Sequence, residues 1–153
     1  MSKAEPPFVP PPPELTPQRT PRKADFVALS NLRYELRKFL AFSEAAAAAN
    51  GLTPQQHQVL LAIKGSPDDV LTVGEIAERM LLRHHSAGEL VGRLERMGLV
   101  SREHDERDRR RVNIRATALA EERLRYLSGA HLDELSGTGP LLRTLLDHFV
   151  TRD

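Results

Sequence analysis

The segment spanning residues 71–115 leaves this chain few folds to choose from. Thr72-Val73-Gly74-Glu75 reads as a capping box, a threonine N-cap with a glutamate three residues on, opening a short helix that buries Ile76, Ala77 and Met80. After a tight turn at Leu81-Leu82-Arg83, the residues Ala87, Leu90, Val91, Leu94 and Met97 fall on one face of a second helix, and Gly98 ends it. The opposite face carries His84, His85, Gly88, Glu89, Gly92, Arg93 and Arg96, side chains left over to meet a partner. Residues 99–102 and 112–115 are strand-like runs around residues 104–111, a loop without one apolar side chain that cannot be core. Two helices and a basic hairpin are the parts needed to set a helix in the DNA major groove and a wing over the neighbouring backbone.

The remainder of the chain reads as support for this unit. Eight of the eleven prolines lie in residues 1–23, including Pro10 to Pro13 in a row. Proline lacks the amide donor and disfavours helix in the residue before it, so this stretch is expected to be an extended, disordered arm. Residues 25–50 form one long helix with a stripe of Phe26, Leu29, Leu32, Leu36, Phe39, Leu40 and Ser43. Such a stripe could be intramolecular core, and the length of the helix in so small a domain makes a subunit partner a second use for it. Thr53-Pro54-Gln55-Gln56 combines an N-cap, a proline at the first helical position and a capping-box glutamine. Thr117 caps a further helix to about residue 135, which Gly137-Thr138-Gly139-Pro140 is expected to break. A last helix from Leu141 to about residue 150 carries Leu142, Leu145, Leu146 and Phe149. The organisation is thus an arm at 1–23 and one domain at 24–153, with helices and wing at about 53–116 between long helices at about 25–50 and 117–150.

Composition narrows the function classes. With no cysteine, disulfides and thiolate metal sites are excluded, and a reducing cytoplasm is the expected compartment. No apolar run approaches the roughly 20 residues needed to span a bilayer. The net charge of +1 does not announce a nucleic-acid binder, and charge alone would favour a solvated surface. What shifts the reading is position, since residues 83–115 hold nine arginines against six acidic residues, with a run of the arginines on a hairpin directly after a helix pair. There is no phosphate-binding glycine loop, nucleophile motif or paired carboxylate set, so the chain is not read as an enzyme and no cofactor is implied. His85 and Glu89 stand at i and i+4, yet adjacent histidines point apart and no third ligand is evident, which argues against a metal site.

Leu71-Thr72-Val73-Gly74-Glu75-Ile76-Ala77-Glu78-Arg79-Met80 and Leu90-Val91-Gly92-Arg93-Leu94-Glu95-Arg96-Met97-Gly98-Leu99-Val100, followed by Asp108-Arg109-Arg110, resemble the MarR family of bacterial transcriptional regulators. The resemblance runs from about Asp25 to the C-terminus and is strongest over residues 71–117. It implies a mainly α fold with a small β wing, a winged helix-turn-helix joined by N- and C-terminal dimerisation helices. It further implies a homodimer on palindromic double-stranded DNA, acting as a repressor and released by a small-molecule effector. Two departures stand out. The family's turn is usually Gly-Leu-Ser where this chain has Leu81-Leu82-Arg83, and Glu89 stands where a basic or hydroxyl residue is common.

The candidate DNA-binding residues follow from these positions. His84, His85 and Ser86, at the helix N-terminus, have donors and acceptors for base edges, although either histidine could instead cap the helix. Gly88 and Gly92 each weaken a helix by roughly 1 kcal/mol relative to alanine, a cost that makes sense if DNA approaches closely. Arg93 suits a phosphate, and Thr72, Arg83 and Glu89 complete the helical set. In the wing, Arg107, Arg109, Arg110 and Arg111 concentrate positive charge. The resemblance implies that Asp108 holds Arg110 extended into the minor groove. The alternative function is a winged-helix module used for protein contacts without specific DNA binding.

Overall fold

The computed structural model describes residues 11–17 and 19–150. Part of the proline-rich arm therefore lies outside the described residues. Residues 11–17 are exposed and in neither helix nor strand. The elements in chain order are α1 (Lys23–Ala49), α2 (Pro54–Lys64), β1 (Val70–Leu71), α3 (Val73–Met80), α4 (His84–Arg96), β2 (Val100–His104), β3 (Val112–Ala116) and α5 (Ala118–Val150). They divide into two compact units, one holding Leu52–Arg125 and the other holding α1 and α5 from Tyr126 onward.

In the first unit both expected capping boxes form. Thr53 Oγ1 accepts the Gln56 N–H at 3.2 Å while Gln56 Oε1 accepts the Thr53 N–H at 2.9 Å. Thr72 and Glu75 repeat the exchange at 3.2 and 2.7 Å. Each pair satisfies two of the orphan donors at a helix start, which fixes where α2 and α3 begin. The apolar faces converge as their spacing requires, burying Val59, Leu60 and Ile63 of α2, Ile76 of α3, and Val91 and Leu94 of α4 with Leu99 and Ile114. Gly98 at φ +70° supplies the left-handed residue after α4, which lets the Leu99 N–H reach the Leu94 carbonyl and turns the chain into β2.

The sheet has one strand more than the sequence suggests. Its order is β1-β3-β2, all antiparallel, with Leu71 opposite Ile114 and Arg102 opposite Ile114 on the other side. Two residues, Val70 and Leu71, are too short a run to signal a strand by alternation. What makes them one is the edge that β3 offers. The hairpin pairs from Val100 opposite Ala116 to His104 opposite Val112, leaving residues 105–111 as the loop at its tip.

The missing turn glycine leaves a mark. Leu81 follows α3 with φ 52°, a left-handed conformation that a Cβ disfavours, and its side chain is 60% exposed and so contributes little packing. Leu81→Gly is expected to raise the unfolding free energy by up to about 1 kcal/mol, and Leu81→Ile to lower it. Urea denaturation of the two variants checks this. A destabilised glycine variant would show that the Leu81 side chain matters more than its backbone.

In the second unit the expected break at residues 137–140 does not occur. α5 runs unbroken from Ala118 to Val150 with Pro140 inside it. An interior proline removes one helix N–H and presses its ring on the carbonyl four residues back, here that of Ser136, and it also clashes with the Cβ of the residue before it; Gly139 has no Cβ, so this last conflict is absent. Three hydroxyls of this stretch also back-bond to carbonyls one turn earlier, Ser136 to Leu132, Thr138 to Glu134 and Thr144 to Pro140. Within this unit His131 of α5 donates from Nδ1 to the Leu127 carbonyl, faces Ser43 Oγ at 2.8 Å and meets the rings of Phe39 and Phe42 edge-on. At the other end, Asp25 accepts the Arg22 backbone N–H and lies 2.9 Å from His148 Nε2. Those contacts, the Arg22 bond first, hold the Asp25 carboxyl below the usual range.

Candidate nucleic-acid interface

The outer face of α4 is a shallow groove of about 480 Å³ lined by His84, His85, Gly88, Glu89, Gly92, Arg93 and Arg96. These are the seven residues that helical spacing sets opposite the buried Ala87, Leu90, Val91 and Leu94. Ser86 is half-buried beside them, and Arg83 occupies the N-cap with no side-chain capping bond. His85 Nε2 lies 3.5 Å from Glu89 Oε1 one turn on, both side chains mostly exposed. The groove therefore offers imidazole donors, one carboxylate acceptor and two guanidinium groups on a single helix face.

Among the described residues nothing presses on its glycine floor. A Cβ added at Gly88 would come no nearer than 4.0 Å to Val73, and one at Gly92 no nearer than 3.7 Å to the end of the Arg96 side chain. The fold would accept alanine at both positions. Their open floor lets an outside surface come closer to the helix backbone than any side chain would allow.

The wing tip is a tightly bonded turn. Asp105 Oδ1 accepts the N–H groups of Arg107 and Asp108 at 2.8 and 3.1 Å, and Oδ2 accepts the Asn113 amide at 3.1 Å. The Arg107 bond above all, then the Asn113 bond, holds the Asp105 carboxyl below its ordinary value. Asp108 Oδ1 in turn accepts the Arg110 N–H at 3.0 Å, the Arg111 N–H reaches the Asp108 carbonyl at 2.8 Å, and His104 Nδ1 donates to the Arg109 carbonyl at 3.1 Å. Asp108 thus fixes the backbone of Arg110, whose guanidinium has no hydrogen bond or ion pair among the described residues. Arg107, Arg109 and Arg110 are all exposed on this loop.

Two further candidates, Thr72 and Arg111, are engaged within the chain. The Thr72 hydroxyl is committed to the cap of α3, accepting the Glu75 N–H and donating to Glu75 Oε2. Arg111 points a guanidinium nitrogen at both Glu75 oxygens, at 3.1 and 3.2 Å, and donates from Nε to Asn113 Oδ1 at 3.0 Å. Asp105, Asn113 and Glu75 were not among the candidates. Asp105 followed two positions on by a residue needing its N–H bonded is the signature of an Asx turn. That local signal lay concealed in a run of alternating charges.

Residues 50–111 match the model of the MarR family. No curated protein matches the chain. Among solved structures it is similar to AbsC, a MarR family transcriptional regulator from Streptomyces coelicolor, at 21% identity and TM-score 0.68, over 88% of this chain and 94% of that one. A MarR family protein from Bacillus stearothermophilus is 23% identical with TM-score 0.69, over 86% of this chain and all (100%) of the other. The S. aureus MepR–DNA complex gives 21% identity and TM-score 0.57, over 82% and 98%. The mainly helical chain with its three-stranded antiparallel sheet has the MarR winged-helix fold.

Proposed function

We propose that this chain, which has the MarR winged-helix fold, is a sequence-specific DNA-binding transcriptional regulator, a homodimeric repressor on a palindromic operator that a small-molecule effector releases. The observation that carries this reading is the glycine-floored face of α4 beside a wing whose arginines are exposed. α4 enters the major groove with His84, His85 and Ser86 at base edges and Arg93 on a phosphate. The tip of the hairpin carries Arg110 into the adjacent minor groove, where narrow geometry concentrates negative potential. MepR, a similar fold, has been solved on DNA. In a two-fold dimer the two α4 helices would stand about 34–36 Å apart, one turn of the duplex.

Selection of genomic fragments by the purified protein at several salt concentrations tests the reading as a whole. A recurrent palindrome bound with steep salt dependence is the expected result. Retention of no fragment, or of all fragments equally, would overturn it. The glycine floor gives a sharper test with opposite signs in two assays. Gly88→Ala and Gly92→Ala should each stabilise the fold by about 1 kcal/mol, because helix propensity rises and nothing inside the chain is displaced. Each should also weaken operator binding by about tenfold or more, the equivalent of about 1–3 kcal/mol of groove contact. Alanine variants that are more stable and bind equally well would show that DNA does not approach this face.

A further inference from the structure

We propose that Glu75 is a positioning residue for the wing: it caps α3 while holding Arg111, so that the hairpin keeps one pose relative to the helix pair, and Arg111 serves as a strut instead of a phosphate contact. The proposal rests on the DNA-binding reading above. It starts from the junction itself. Glu75 Oε2 accepts the Thr72 N–H at 2.7 Å and the Thr72 hydroxyl at 3.0 Å, and both carboxylate oxygens meet the Arg111 guanidinium, 36 residues away in the chain. One carboxylate thus joins the start of α3 to the first residue before β3.

From Arg111 the connection continues without a gap to the tip. Arg111 Nε donates to Asn113 Oδ1, Asn113 Nδ2 donates to Asp105 Oδ2, and Asp105 Oδ1 holds the N–H groups of Arg107 and Asp108. Asp108 then holds the N–H of Arg110. A chain of hydrogen bonds, most of them charge-assisted, therefore runs from the N-terminus of α3 to the residue proposed to enter the minor groove. The Glu75 carboxyl is held below its ordinary value by the Thr72 N–H first, with Arg111 adding to it.

Stability alone does not account for the pair. Glu75 and Arg111 side chains are 40% and 43% exposed, and a solvated ion pair contributes little to folding. Its geometric effect is larger, because a wing free to tilt would place Arg110 at many positions over the groove and lose selectivity for the right one. A guanidinium already held by Glu75 is also poorly placed to neutralise a phosphate.

The test compares wild type, Glu75→Gln, Arg111→Gln and the double variant. Glutamine keeps the capping box and removes only the charge pair. Each single variant is expected to lose about tenfold in affinity for the selected operator, with the double no worse than the weaker single, since both act through one junction. Affinity for an unrelated duplex and the salt slope should be unchanged in Arg111→Gln. If Arg111→Gln flattens the salt slope and weakens all duplexes alike while Glu75→Gln tightens them, Arg111 is a phosphate contact and the proposal falls. A DNA-free readout separates this from the wider reading: 15N heteronuclear NOE values at residues 107–110 should drop in Glu75→Gln. A looser tip in a protein whose wild type selects no duplex would refute the DNA reading and leave the strut standing. A tip unchanged in Glu75→Gln, with operator affinity also unchanged, would overturn the strut.

Discussion

Arg110→Ala is expected to cut operator affinity about a hundredfold or more while leaving the chain folded. The magnitude follows from symmetry, since a dimer loses the contact in both wings and a hydrogen bond to a charged group is worth about 1.5–3 kcal/mol. The salt slope should flatten by about two ions for the same reason. Folding is spared because the Arg110 side chain is exposed and its role in the loop is carried by its backbone N–H on Asp108. That backbone bond changes what Asp108 should do. Asp108→Asn keeps an oxygen acceptor for the Arg110 N–H and removes a negative charge, so it should bind at least as tightly as wild type. Asp108→Ala removes the charge and the acceptor together and should bind more weakly than Asp108→Asn. Titration of one operator at fixed salt orders the three proteins. Equal affinities for the alanine and asparagine variants would mean that the wing acts as a generic basic patch and that the turn geometry is immaterial.

The parts of this molecule that local chemistry controls were readable from residues three or four apart. The Thr53–Gln56 and Thr72–Glu75 boxes, the stop at Gly98, the two-faced α4 and the bare hairpin loop all announce themselves within one turn of chain. What stayed hidden depends on contacts remote in sequence or on an exception to a local rule. β1 exists because β3 pairs with it some 45 positions later, Val70 opposite Arg115. Arg111 looked like one more wing arginine because nothing near it in sequence shows that Glu75 lies beside its guanidinium. Asp105 was counted as charge when it acts as an acceptor for two backbone donors. The break expected at Gly137–Pro140 followed local residue preference, whereas α5 continues through Pro140, with Gly139 before it bringing no Cβ to clash. That His84, His85, Gly88, Glu89, Gly92, Arg93 and Arg96 share one face of α4 was legible because a helix face needs only the spacing.

Leu36→Glu is expected to convert the proposed dimer to a monomer and to weaken operator binding by a factor of about 10²–10⁴. Phe26, Leu29, Leu36 and Leu40 are each about half exposed on α1, and at 100° per residue they fall within one narrow stripe. Leu132, Leu135 and Leu146 repeat the spacing on α5, also open to solvent. Of the apolar positions on these two helices, Leu145 is buried by its own chain and Phe39 packs on His131, so the outward-facing set is the better guide. Burying a leucine or phenylalanine yields about 1.5–3 kcal/mol, and each of these residues would be buried twice in a symmetric dimer. A glutamate at position 36 would put two unpaired carboxylates into that contact. The effect on DNA is then one of linkage: each monomer keeps its α4 and wing, but the second half-site no longer binds as an intramolecular step. Sedimentation velocity at micromolar concentration should give a dimer for wild type and a monomer for Leu36→Glu, with circular dichroism unchanged. Wild type sedimenting as a monomer at every concentration would remove the dimer from the proposed function. A monomeric Leu36→Glu that still bound a full palindrome as wild type does would show that each half-site suffices alone.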